Sequence, residues 1–166
     1  TPIPTEIEDT GLSPRVSLNY QWTDDLMSYV SYTRGFKSGG FNARSTTPLQ
    51  WGPYDDMQVD SYEAGVKSMW LDNRLRFNMS VFYEDLSDMQ TQVNAVDPGS
   101  QGGYSTVVQN AASATIKGLE LETIVMLVPG LDITAGYGYV DPEYDEFLSF
   151  DNISGAISDI SSARPP

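Results

Sequence analysis

The chain has 166 residues, a net charge of −14 from 23 acidic and 9 basic side chains, and neither cysteine nor histidine. Disulfides, thiolate chemistry, histidine-based triads and the usual zinc ligands are therefore excluded. The acidic balance also argues against a nucleic-acid partner. Any catalysis would rest on carboxylates, Lys, Tyr or Ser.

The N-terminal "TPIPTEIEDTG" has neither the basic nor the apolar region of a signal peptide. It lacks an initiating Met, and "SSARPP" supplies no finishing element, so the expectation is a fragment. The longest aliphatic run, Ile124 to Val128, falls far short of the ~18–20 apolar residues of a transmembrane helix. Membrane β-strands are not excluded, because each needs only ~9–11 residues with one apolar face.

Period-2 alternation runs through the chain. Val16, Leu18, Tyr20 and Trp22 oppose Arg15, Ser17, Asn19 and Gln21, which predicts a strand. "TDD" (Thr23 to Asp25) predicts a tight turn. "LMSYVSYTR" is rich in β-formers, but its faces are mixed and its orientation stays open. A Gly/Pro/polar loop is predicted over roughly 35 to 59. Then Tyr62, Ala64, Val66, Ser68 and Trp70 alternate with Ser61, Glu63, Gly65, Lys67 and Met69. "LDNR" (Leu71 to Arg74) predicts a hairpin turn. Leu75, Phe77, Met79, Val81 and Tyr83 continue the apolar face.

A second polar loop is predicted over roughly 94 to 105. Leu119, Leu121, Thr123 and Val125 then oppose Glu120 and Glu122. "VPG" (Val128 to Gly130) predicts a turn. Leu131, Ile133, Ala135, Tyr137 and Tyr139 form the last apolar face, and the acidic tail from about 141 reads as a loop. The result is all-β, with about six antiparallel strands. Short turns lie on one edge and long loops on the other, the asymmetry of an outer-membrane barrel.

The polar faces carry Arg15, Glu63, Lys67, Arg74, Arg76, Glu84, Glu120, Glu122 and Asp132. These must face water, since a basic side chain at the bilayer midplane costs roughly 2–4 kcal/mol. Trp22 and Trp70 precede short turns, whereas Tyr62, Tyr83, Tyr137 and Tyr139 sit towards the long loops. Two aromatic levels flanking an aliphatic band suit the two membrane interfaces. A soluble β-sandwich, binding carbohydrate or a surface partner, remains the alternative, and a passive porin section is a third reading.

"RGFKSGGFN" (Arg34 to Asn42) concentrates three glycines, two cations and two aromatics between strands. It lacks the phosphate-loop spacing. Its structural reading is that Gly35, Gly39 and Gly40 permit positive φ where a strand becomes a loop, with Phe36 and Phe41 clamping it to the rim. Its functional reading is that Arg34 and Lys37 offer positive charge to an anionic ligand at the barrel mouth. The structural reading is preferred.

Glu120 and Glu122, ~6.5–7 Å apart along one strand, overlap the spacing of inverting glycosidases. With no second strand defining a cleft, a charged wet wall explains them better, and Glu63 and Lys67 read as a charge network with neighbouring walls. "DPEYDEF" and "YDD" lack EF-hand spacing, so no metal or cofactor site is expected. "NMS" and "NIS" are glycosylation-type triplets to which no function is assigned.

Four stretches in order, "SPRVSLNYQWTDDLMSYVSYTRGFKSGGFN", "VDSYEAGVKSMWLDNRLRFNMSVFYEDLSDMQ", "NAASATIKGLELE" and "PGLDITAGYGYVDPEYDEF", resemble the barrel of TonB-dependent outer-membrane receptors, nearest the siderophore-receptor-like group. The resemblance covers about Ser13 to Phe147, and each motif alone is weak. It implies a section of a 22-stranded barrel in the outer membrane of a Gram-negative bacterium. Residues 1–12 would end an extracellular loop, 13–147 would form the partial barrel, and 148–166 would lead to a missing strand. The resemblance further implies an N-terminal plug, which the Glu63 and Lys67 network would also meet, energising by the TonB complex, a ferric siderophore or similar scarce ligand, contact with outer-membrane lipid, and transport without catalysis.

Overall fold

The structure, a computed structural model, describes residues 10–42, 50–150 and 157–162. The loop expected over residues 1–12, and most of the terminal segment, lie largely outside this range.

Alternation of apolar and polar side chains produces one antiparallel sheet in simple chain order, with seven strands among the described residues. These are β1 (Arg15–Thr23), β2 (Leu26–Lys37), β3 (Met57–Trp70), β4 (Leu75–Val96), β5 (Tyr104–Val128), β6 (Leu131–Phe150) and β7 (Ile157–Asp159). Every neighbour in the sheet is a neighbour in sequence, so the chain meanders like an up-and-down barrel wall.

The three short turns fall where turn residues predict them. Asp24 and Asp25 join β1 to β2, and Gly130 turns β5 into β6 with φ of 88°. In the β3–β4 turn, Leu71, Asp72 and Asn73 all adopt left-handed φ, at 56°, 54° and 66°. Asp and Asn tolerate that conformation, whereas Leu is strained there. Arg74 reaches across to the β5–β6 turn, donating from Nε to the Met126 carbonyl at 3.3 Å and from Nη2 to that of Leu127.

The strands extend beyond the sequence expectation. β4 has 22 residues and β5 has 25, against 9 in β1. The predicted loops lose residues at their edges: β2 runs to Lys37, β3 begins at Met57, β4 runs to Val96 and β5 begins at Tyr104. The acidic tail expected to be a loop from 141 instead continues β6 to Phe150, which pairs with a seventh strand. The reason is environmental. Beyond the bilayer both faces of a strand meet water, so polar residues occupy both and the period-2 signal fades although pairing continues.

The glycines of "RGFKSGGFN" also act differently from expectation. Gly35 lies inside β2, and among the described residues the positive-φ glycines are Gly52, Gly103 and Gly130. Gly39 and Gly40 serve close approach: a Cβ at Gly39 would strike the Tyr54 carbonyl, and one at Gly40 the Tyr54 ring. Gly40 and Tyr54 form a two-way backbone bridge at 3.0 and 2.9 Å.

Burial is uneven. The buried aliphatic residues Val93, Val107, Ala111, Ala112 and Ala114 all belong to the outer reaches of β4 and β5. On the wall, Leu18 and Ile133 remain 69% and 52% exposed.

Candidate functional site

Strand register assigns the two faces. Directly paired residues of an antiparallel ladder share a face, so Tyr32, Tyr62 and Tyr83 form one continuous row. Their ring centroids lie 5.2 Å apart for Tyr32–Tyr62 and 6.3 Å for Tyr62–Tyr83. Below this row on the same face come Val30, Ala64 and Val81, joined by Leu119. Tyr32 settles the orientation that the sequence leaves open for β2.

At the short-turn edge of this face, Trp22 Nε1 donates to Ser28 Oγ at 2.9 Å and Trp70 Nε1 donates to Ser68 Oγ at 3.0 Å. Ser68 in turn donates to the Phe77 carbonyl at 3.0 Å. Each serine on this apolar face thus has a local polar partner, as a lipid-facing position requires. Tryptophans at one end and tyrosines towards the other bracket the aliphatic band as membrane-interface aromatics do.

The opposite face is polar and encloses an open groove of about 500 Å³ lined by Tyr29, Glu63, Lys67, Asn78, Glu120 and Glu122, among others. Glu63, Lys67 and Glu122 each have a side-chain partner. The Tyr29 hydroxyl donates to Glu63, and Lys67 Nζ stands 5.6 Å from the Tyr29 ring centroid. Asn78 Nδ2 donates to Glu122 Oε2 at 2.9 Å. The Tyr29 ring lies where a Cβ of Gly65 would project, and the Phe82 ring likewise covers Gly118. Glycine at these positions lets aromatic rings lie flat on the neighbouring strand.

Glu120 and Glu122 both face this groove, opposite Gly138 and Gly136 of β6. A wet lumen wall accommodates such charges, whereas the lipid face would not. Among the described residues, no cluster of three or more His, Cys, Asp or Glu side chains is arranged to hold a metal ion.

At the rim the two cations of "RGFKSGGFN" part company. Arg34 pairs with Asp60 across β2 and β3, Nε to Oδ1 at 2.8 Å and Nη2 to Oδ2 at 2.7 Å. The Tyr32 hydroxyl donates to the same Oδ1 at 2.6 Å. Register places Arg34 and Asp60 on the lipid-side face, one step beyond the tyrosine row. Lys37, at the end of β2, has the parity of the lumen face. Sequence reasoning missed Asp60 because a single carboxylate ahead of an alternating run carries no spacing signal.

Comparison with known proteins agrees with this geometry. The family model described as TonB dependent receptor-like, beta-barrel matches residues 4–161. The metal-pseudopaline receptor CntO of Pseudomonas aeruginosa is 29% identical over 131 residues, covering 79% of this chain and 17% of that protein. The pesticin receptor of Yersinia enterocolitica is 30% identical over 122 residues, covering 74% of this chain and 17% of that protein. The crystal structure of the ferric yersiniabactin uptake receptor FyuA from Yersinia pestis superposes with a TM-score of 0.63 at 25% identity, covering 78% of this chain and 18% of that one. The chain thus spans about a sixth of the length of these relatives, 17% for the two matched by sequence. With its lipid-facing band, charged lumen face and family match, the chain belongs to the TonB-dependent receptor β-barrel family and is a section of outer-membrane barrel wall.

Proposed function

We propose that this wall serves a receptor for energised uptake of a ferric siderophore or a similar scarce metal-chelate ligand. The observation that carries the reading is the two-faced sheet itself, lipid-compatible outside and charged inside, in a chain whose relatives include a ferric yersiniabactin uptake receptor. Residues 13–147 act as the barrel section, with 1–12 and 148–166 as flanking loop segments. Glu63, Lys67, Glu120 and Glu122 present hydrogen-bonding charge towards a plug domain inside the barrel. The TonB complex supplies the energy through that plug. The wall contributes binding and gating, with no bond chemistry.

Lys37 and Arg34 are the proposed ligand-contacting cations of the rim. Lys37 stands on the mouth side. Arg34 is held by Asp60, so its contribution requires release of that pair.

The test is uptake of radioiron-loaded siderophores by cells whose complete receptor contains this wall. Uptake should saturate, stop when the proton-motive force is collapsed, and fall several-fold in binding for Lys37→Ala, with a smaller loss for Arg34→Ala. Diffusive, energy-independent passage of small solutes would overturn the receptor reading in favour of a pore.

A further inference from the structure

Strand pairing divides the β4–β5 hairpin at one level. β3 supports β4 only as far as the Gln58–Ser87 pair. β6 supports β5 only from the Ala112–Phe147 pair inward. At that same level the β4–β5 ladder breaks register between Leu86 and Met89 and again between Met89 and Gln90. Asp88 takes a left-handed φ of 53° there. A bulge of this kind bends and twists a ladder locally. Beyond it the hairpin is a two-stranded ribbon, a form marginally stable alone.

The ribbon nevertheless carries a buried cluster of its own, Val93, Val107 and Ala111. The β2–β3 loop is fastened to it by amide side chains at several heights. Near the break, Gln90 Nε2 donates to the Ser38 carbonyl at 2.9 Å and to that of Asp55 at 3.0 Å. Asn110 Oδ1 accepts from the Asp55 N–H at 2.8 Å, while its Nδ2 donates to the carbonyls of Asp55 at 3.0 Å and Asp88 at 2.8 Å. Midway, Asn42 takes both backbone groups of Val108, accepting its N–H at 2.7 Å and donating to its carbonyl at 2.9 Å. It thereby replaces a strand neighbour where β6 no longer pairs. Towards the tip, Gln50 Nε2 donates to the Val96 carbonyl, and Ser105 Oγ donates to Gln50 Oε1 at 3.0 Å.

We propose that residues 38–42 and 50–56 between β2 and β3 form one rigid lobe with the outer half of the β4–β5 hairpin, hinged on the wall at Ser87–Met89 and Ala112. Opening or closing of the barrel mouth then displaces loop and hairpin together, as hinge motion about a few backbone positions does. The proposal stands apart from the uptake reading, because its test needs no ligand.

Spin-label pairs in the complete receptor, reconstituted in lipid nanodiscs, decide it. Pro53→Cys with Gln101→Cys reports loop against hairpin. Gln101→Cys with Val30→Cys reports hairpin against wall. The expected result is a narrow loop–hairpin distance distribution and a broader hairpin–wall distribution. The double substitution Asn42→Ala with Asn110→Ala should broaden the first and leave the mean of the second unchanged. Equal widths in the unsubstituted protein would overturn the hinge. A loop–hairpin distribution broader than the hairpin–wall one would overturn the single lobe. A narrow loop–hairpin distribution in the doubly substituted protein would show that these amides do not hold the lobe together.

Discussion

The wall and the outer lobe are built from the same strands but are stabilised by opposite means. On the wall, apolar side chains such as Leu18 and Val16, 69% and 64% exposed, have no protein to pack against on their outer face. Their burial comes from the bilayer, and their specificity from excluding charge on that side. The lobe, by contrast, buries Val93, Val107 and Ala111 against its own chain and closes its backbone with Asn42, Gln90 and Asn110. Its stability is that of an ordinary small soluble element. The comparison teaches that pattern strength and packing are separate things. The clearest alternation lies where little protein is buried, and the tightest packing lies where alternation has faded.

The largest effect should come from charging the wall's lipid face. Leu121→Arg is expected to cost roughly 2–4 kcal/mol near mid-bilayer and to impair assembly, read as loss of the heat-modifiable folded band after insertion. Glu120→Arg, one residue away on the lumen face, should still assemble. Equal tolerance of both would refute the face assignment.

A hole in the lobe should separate the two regions. Val107→Ala removes two methyl groups from a site 2% exposed and is expected to cost about 1–3 kcal/mol. Hydrogen exchange should accelerate in 89–112 while wall amides keep their protection. Loss of protection in both would mean that the lobe and wall unfold as one unit.

The wall's short turn offers a change in the other direction. Leu71 holds φ of 56° without the tolerance of Gly or Asn. Leu71→Gly is expected to stabilise by about 0.5–1 kcal/mol, measured as a shift in urea unfolding of the reconstituted barrel. No shift would indicate that the turn is relaxed at this position.

The smallest expected effect is acid-dependent and confined to the outer end of β6. Asp159 Oδ1 accepts N–H donors from Ser161 at 2.8 Å and Phe147 at 3.2 Å. These hydrogen bonds, that of Ser161 foremost, hold its carboxyl below the usual carboxylate range. A carboxyl with a lowered folded-state pKa stabilises above its unfolded value and loses that contribution as pH falls through the folded value. Exchange of the Phe147 and Ser161 amides should therefore rise below about pH 4 relative to reference amides, and Asp159→Asn should abolish the pH dependence. A dependence persisting in Asp159→Asn would assign it to another group.

Much of the wall was readable in the sequence. Val16, Leu18, Tyr20 and Trp22 announced one face, and the Leu119–Val125 alternation announced another, because membrane and lumen impose opposite polarity on consecutive residues. Asp24, Asp72, Asn73 and Gly130 marked the turns through their own backbone preferences. The candidate rim was legible only as composition. Arg34 and Lys37 were visible as cations, but the Asp60 partner that fixes Arg34 lies 26 residues away, across a loop.

Sequence by itself thus determined the faces of β1 and β3 to β6, the short-turn edge and the family, since each rests on local periodicity or on ordered motifs. Tertiary structure decided how far β4, β5 and β6 continue beyond the bilayer, and what holds residues 38–42 and 50–56 in place. An amide such as Asn42 finds Val108 at a separation of 66 residues. No period in the chain encodes that pairing, because it satisfies a backbone edge that exists only after β6 has parted from β5.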